Sequence, residues 1–246
     1  MKAVESLRVT TIVENDIWQE GLASSWGLSV YAEALMENGK THKVLMDTSG
    51  SFKVLFKNSS RIGIDLAEVD RIFISHWHGD HVGALSQLLP LIGHSVPVYI
   101  PSIDRFGVRK IEKENGRPIV CSEATELVEG LISTGEMSNG LSEHSLLVNV
   151  KGKGLIVLVG CSHPGIIKIL KRARQVSHVN TVYGVIGGFH ISEKKAGIEI
   201  GEFLKKLNVE IASPCHCTSQ DARKGIAEVV REKYVSNGSG KTITIA

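Results

Sequence analysis

The stretch SHWHGDHVG, residues 75–83, places His76, His78, Asp80 and His81 within six residues. It follows RIFIS at 71–75, whose β-branched and aromatic content predicts a buried strand. Leu85, Leu88 and Leu89 come next at helical spacing, which predicts a helix starting near Gly83. Alternate side chains of an extended segment share a face, so His76 and His78 can approach one metal together. A turn at Gly79 then redirects Asp80 and His81 toward a second. Imidazole and carboxylate are ligands suited to zinc, manganese or iron(II). The plainer reading is a solvated polar turn, and four donors gathered at one strand end argue against it.

Around this motif the chain alternates strand and helix signals. Leu7 to Glu14 reads as extended, and Leu28 to Ala34 and Lys43 to Met46 flank the turn signal Asn38-Gly39 as a hairpin. Phe52, Leu55 and Phe56 have helical spacing, and VPVYIP at 96–101 is another strand. The pattern then weakens, and DRFGVRKIEKENGRP, from residue 104, reads as a long exposed insertion. Farther on, SLLVNV and LIVLVG surround the tight KGKG turn, and TVYGVIG, VEIAS and KTITIA are strands. Helices are expected over roughly 165–175, 193–206 and 219–233, the last capped by Thr218 with Asp221. With no linker, charge block or repeat, residues 1–246 are expected to be one α/β domain, two sheets packed face to face with helices outside.

Composition agrees with an ordinary globular protein: 42% hydrophobic residues, 22% charged and a formal net charge of +2. No basic surplus asks for a nucleic-acid partner. The N-terminus lacks the apolar core and cleavage site of a signal peptide, and no run is long enough for a membrane helix, so a cytoplasmic location is expected. Four cysteines, Cys121, Cys161, Cys215 and Cys217, do not make a disulfide framework, leaving thiols that are free, buried or metal-bound.

Two of them flank a histidine in PCHCT, residues 214–218, which by itself reads as a thiol site, a zinc knuckle or a histidine ligand with incidental sulfurs. The preceding strand, continued in extended form, puts Cys215 and Cys217 on one face and His216 on the other. That geometry turns His216 toward a histidine-aspartate set and leaves the sulfurs as packing. His42, His94, His144 and His178 stand alone and read as surface or packing residues. Trp77 is expected to face away from the metals, and Trp18 and Trp26 either to line the pocket mouth or, as the default, to cover the sheet. Asn15 is a weak candidate for approaching the site. Gly187 and Gly188 either admit a ligand or relieve crowding.

The motif His-x-His-x-Asp-His resembles that of the metallo-β-lactamase superfamily, and the resemblance extends over nearly the whole chain. It implies an αββα sandwich with two divalent metals, zinc foremost and manganese or iron as alternatives, at one edge between the sheets. It further implies Asp47 as a support behind the ligands, His163 of GCSHPG as the third ligand of the first metal, and His216 as the last ligand of the second. GCSHPGI, GGFH and PCHCT together resemble the branch containing the dihydropterin ribofuranosyl-aminobenzene phosphate synthases of methanopterin biosynthesis. There is one departure. Many hydrolases of the superfamily carry a bridging aspartate in the fourth motif, yet between His163 and His216 this chain has only Glu193, Glu199, Glu202 and Glu210. His190, which ends GGFH, is the natural occupant of that position, as a ligand for metal or substrate.

The expected activity is metal-dependent hydrolysis of a small, anionic or phosphate-bearing substrate, with Asp80 orienting water and carrying its proton. Arg105, Arg109, Lys110, Lys113 and Arg117 offer cations for a phosphate, against the plainer reading of a solvated loop. The alternatives are non-hydrolytic synthase chemistry and a metal-retaining sensory protein without turnover.

Overall fold

The computed structural model describes all residues, 1–246. The first half comprises β1 (Ser6–Val13), β2 (Ser29–Leu35), β3 (Thr41–Met46), α1 (Phe52–Ile62), β4 (Arg71–Phe73), α2 (Gly79–Val82), α3 (Leu85–Ile92), β5 (Pro97–Ile100), α4 (Arg105–Lys113) and β6 (Arg117–Val120). The second comprises β7 (Thr125–Val128), β8 (Leu131–Ser133), β9 (Met137–Ser138), β10 (Ser142–Glu143), β11 (Leu146–Val150), β12 (Gly154–Val159), α5 (Ile166–Ser177), β13 (Val182–Gly188), α6 (Lys194–Lys206), β14 (Ile211–Cys215), α7 (Gln220–Val230) and β15 (Thr242–Ile245).

One sheet runs β15-β1-β2-β3-β4-β5-β6 and the other β14-β13-β12-β11-β8-β7, with β9 and β10 forming a small ribbon. Both are mixed: β3 to β6 are parallel neighbours, as are β12 to β14, and the remaining pairs are antiparallel. Alternation along the strands sets the layering. Val44 and Met46 of β3 face a central apolar cluster while Leu45 faces an outer one with Leu55, Leu88 and Leu89. In β12, Ile156 and Leu158 face the centre while Val157 and Val159 meet Ile169, Leu204 and Ile226 of the other helical layer. Three apolar clusters thus lie between four layers, the expected αββα sandwich. No helix is long and apolar enough to cross a membrane.

The hairpin around Asn38-Gly39 and the helices after it form as read, whereas residues 104–117 do not form an exposed insertion. They make α4 and the edge strand β6. The Asp104 carboxylate caps α4 by accepting from Gly107 N at 2.6 Å, and Ile111 is fully buried. Its apolar stripe is thin because α4 is a peripheral helix with Phe106 left in solvent. The cap of α7 is Ser219, whose hydroxyl accepts from Ala222 N at 3.1 Å. Thr218 instead accepts from Phe189 N at 2.9 Å, tying the ends of β13 and β14 together.

Candidate metal centre

The C-terminal ends of parallel strands lie at one edge, so the loops that leave them converge. Asp47 follows β3, His76 and His78 follow β4, Cys161 and His163 follow β12, His190 follows β13 and His216 follows β14. Asp80 and His81 sit on α2. Five of the loop residues at this edge, Asp47, Ser49, Ser162, His190 and His216, have positive φ between 50° and 64°. Such turns are costly for non-glycine residues and here aim side chains into one space.

His76, His78 and His163 form one group whose donor atoms lie within 4.8 Å of one another, and Asp80, His81 and His216 form a second. The structure therefore brings together the sequence-predicted donors other than His190, including the late histidines His163 and His216. His190 packs on His163 with ring centroids 4.4 Å apart, but it is exposed and lies outside both groups, meeting only His163 and Cys161.

The hydrogen-bond network assigns the imidazole tautomers. Asp47 is fully buried; its Oδ1 accepts from Ser75 N and its Oδ2 from both Ser75 Oγ and His81 Nδ1, all at 2.7 Å. Ser75 Oγ, having given its proton to Asp47, accepts from His76 Nδ1 at 2.9 Å. His216 Nδ1 points at Asn15 Oδ1, 3.4 Å away. Each of these rings therefore carries its proton at Nδ1 and turns a bare Nε2 inward. His81 Nε2 and His216 Nε2 lie 3.1 Å apart, with Asp80 Oδ2 3.3 Å from the latter. Three lone-pair-bearing atoms converge with no proton between them, and His163 Nε2 is buried without any partner. Both observations fit a cation.

Electrostatics agree. Burial, reinforced by neighbouring imidazoles, pulls His76 far down, and it takes His163 to about 4. Burial also lowers His216, and Asp80, facing the His216 and His81 rings, is held well below the usual carboxylate range. His81 is the exception: burial is the largest single influence and lowers it, but Asp47, Asp80 and Glu143 together raise it.

Two buried glutamates that sequence reasoning missed hold the ligand loops. Glu143, fully buried, accepts from Cys161 N (2.9 Å), Ser162 N (2.8 Å) and His163 N (2.7 Å). Glu14 accepts from His216 N and Asp16 N and pairs with Arg223 at 3.1 Å. Burial raises the pKa of both, and the N–H groups oppose it. Neither is marked by its spacing from the ligands, since the ligand loops they hold lie 18 or more residues away.

Several expectations change. His216 has φ 54°, so extended geometry stops at Cys215 and the two sulfurs diverge. Cys215 enters the central core, while Cys217 turns to the site and donates to Cys161 O at 3.5 Å. Cys161, one of four thiols left open as free, buried or metal-bound, lies 3.3 Å from His81 Nε2; its place two residues before His163 was the available signal. Trp26 does not cover the sheet: it is exposed, tilts toward His216 at 5.4 Å, and lines a cleft of about 400 Å³ with His190, Ser192 and Cys217. Asn15 does reach the site, donating to His216 O at 3.0 Å. Trp77 faces away, donating to Ser102 O. Crowding explains Gly188, where a Cβ would come within 2.6 Å of Cys217 Sγ. His144 is a packing residue, stacked on Phe73 at 3.9 Å, and burial holds it near pKa 3.

The chain is similar to known proteins over nearly its whole length. The chain is 27% identical, over 98% of its own length and 97% of the relative's, to a 7,8-dihydropterin-6-methyl-4-(beta-D-ribofuranosyl)-aminobenzene-5'-phosphate synthase of Methanocaldococcus jannaschii. An uncharacterised protein of that organism is 23% identical over 96% of this chain and all of its own. Among solved structures, a metal-dependent hydrolase of the beta-lactamase superfamily superposes with a TM-score of 0.76 at 24% identity, covering 96% of this chain and 98% of that one. A diphosphatase of the PhnP family gives 0.63 at 15%, covering 98% and 97%. The model of the metallo-beta-lactamase superfamily matches residues 34–216, the span from β2 to the last histidine of the site, and the chain belongs to that superfamily.

Proposed function

We propose that this protein is a binuclear metal-dependent hydrolase acting on a small, anionic or phosphate-bearing substrate, with zinc as the metal. The observation that carries the proposal is the pair of donor groups, His76-His78-His163 and Asp80-His81-His216, with bare ring nitrogens facing inward beside an open cleft. Two divalent metals held there would supply Lewis acidity and bring the pKa of water toward neutrality. The residues do the rest. Asp80, ionised and one-fifth exposed, takes a proton from the attacking water and returns it to the leaving group. Asp47 keeps His76 and His81 in the tautomers that leave Nε2 free. Trp26 walls the cleft. His190 stands at the cleft as a substrate contact.

A second reading, non-hydrolytic synthase chemistry, is favoured by the full-length similarity to the pterin phosphate synthase and by the missing fourth-motif aspartate. One set of measurements separates them. Metal analysis is expected to give about two transition metals per chain, lost in a His78→Ala/His81→Ala variant. Turnover of phosphodiesters, phosphomonoesters, lactones or a lactam, abolished in Asp80→Ala, supports hydrolysis. A metal-replete protein inert to the whole panel refutes it.

A further inference from the structure

The fourth motif offers no aspartate that could lie between the two donor groups. Glu193, Glu199, Glu202 and Glu210 are all exposed, on α6 or next to it and before β14, away from the donor groups. Cys161 is placed differently. It is 4% exposed, and its sulfur belongs to three donor groups: with His76 and His81, with His216 and Cys217, and with His163 and His190. No other residue belongs to three, and the partners span both metal sets. Because His81 keeps its proton on Nδ1 and donates it in a hydrogen bond to Asp47, the thiol faces the bare Nε2 of His81 at 3.3 Å. The S–H thus points to a lone pair that a metal would take.

The sulfur is also held in place by its own backbone. Glu143 fixes Cys161 N and Ser162 N, and Ser162 Oγ donates to Gly188 O at 2.6 Å. Zinc–sulfur bonds of about 2.3 Å let one sulfur join metals up to roughly 4.6 Å apart. A thiolate carries the single negative charge of a carboxylate and has lone pairs for two cations. We infer that Cys161 bridges the two metals as a thiolate, taking the part of the missing aspartate; this rests on the binuclear reading above. Its proton leaves to solvent as the metals bind. Cys217, half-buried and present in one donor group only, stays an outer thiol. A soft bridge favours zinc or iron over manganese.

Zinc-edge X-ray absorption of the zinc-loaded full chain tests this. Wild type is expected to show a sulfur shell at about 2.3 Å, one sulfur per zinc, beside the shorter nitrogen and oxygen shell. The shell should persist in Cys217→Ser and vanish in Cys161→Ser, and Cys161→Asp should keep two zincs without sulfur. Should Cys161→Ser fail to fold, a shell retained in Cys217→Ser still assigns it to Cys161, because Cys121 and Cys215 are enclosed in the central core. Two zincs with only nitrogen and oxygen neighbours overturn the bridge and leave the hydrolase reading standing. A sulfur shell lost in Cys217→Ser overturns the bridge as well, and a chain that binds no zinc overturns both.

Discussion

Asp47→Asn changes one oxygen to an amide and should cost metal affinity at both halves of the site. Asparagine tolerates the left-handed backbone at this position (φ 58°), so the fold has no reason to move. If its carbonyl keeps the bond to Ser75 N, the new NH₂ faces Ser75 Oγ and His81 Nδ1, both donors to the native Oδ2. Those partners must become acceptors. Ser75 then donates to His76 Nδ1, and both rings move their protons to Nε2, the atoms that face the metals. Turned over, the amide instead opposes the Ser75 N–H with a donor. Restoring the metal-binding tautomers forfeits a charge-assisted hydrogen bond of about 1.5–3 kcal/mol. At about 1.4 kcal/mol per decade, zinc should bind roughly 10–100-fold more weakly. Competition against a chromophoric chelator measures this, with circular dichroism checking the fold. Wild-type affinity for both zincs in a folded variant would refute the tautomer argument.

His216→Ala should lose one of the two metals, whereas Cys215→Ser should keep both while losing about 1–3 kcal/mol of stability for a hydroxyl in the central core; metal analysis and urea midpoints check the pair, and equal metal loss in both would be inconsistent with the divergent sulfurs. In Gly160→Ala the new Cβ overlaps Ser75 Oγ, so the Asp47–Ser75 link should break, with a loss of about 1–3 kcal/mol seen in the denaturation midpoint. Normal stability and metal content would count against that link. His144 is held near pKa 3 when folded against an ordinary 6.5, so below pH 6.5 the unfolded chain takes up a proton that the folded chain refuses. Stability of the metal-free protein should therefore fall with acid from pH 6.5 toward 3, by up to about 1.4 kcal/mol per pH unit more than in His144→Gln. Parallel curves for the two proteins would contradict it.

By itself the sequence determined the sandwich and the core of the site. Alternating apolar residues in strands such as KVLM and LIVLV, and helical spacing after them, are local signals of which side each element buries. His76, His78, Asp80 and His81 were legible because a strand end and a tight turn bring them together within six residues, and resemblance to a known motif added His163 and His216. Only the tertiary structure decided what holds those donors. Glu14 and Glu143 act on loops 18 or more residues away, so no spacing records them, and Asp47, which the resemblance marks as a support, shows its partners Ser75 and His81 only in the fold. The sulfurs of PCHCT were misjudged because strand alternation was continued one residue too far, past the left-handed turn at His216. Cys161 gained its place among the histidines from the convergence of parallel strand ends, a property of how β12, β13 and β14 lie side by side rather than of any one segment.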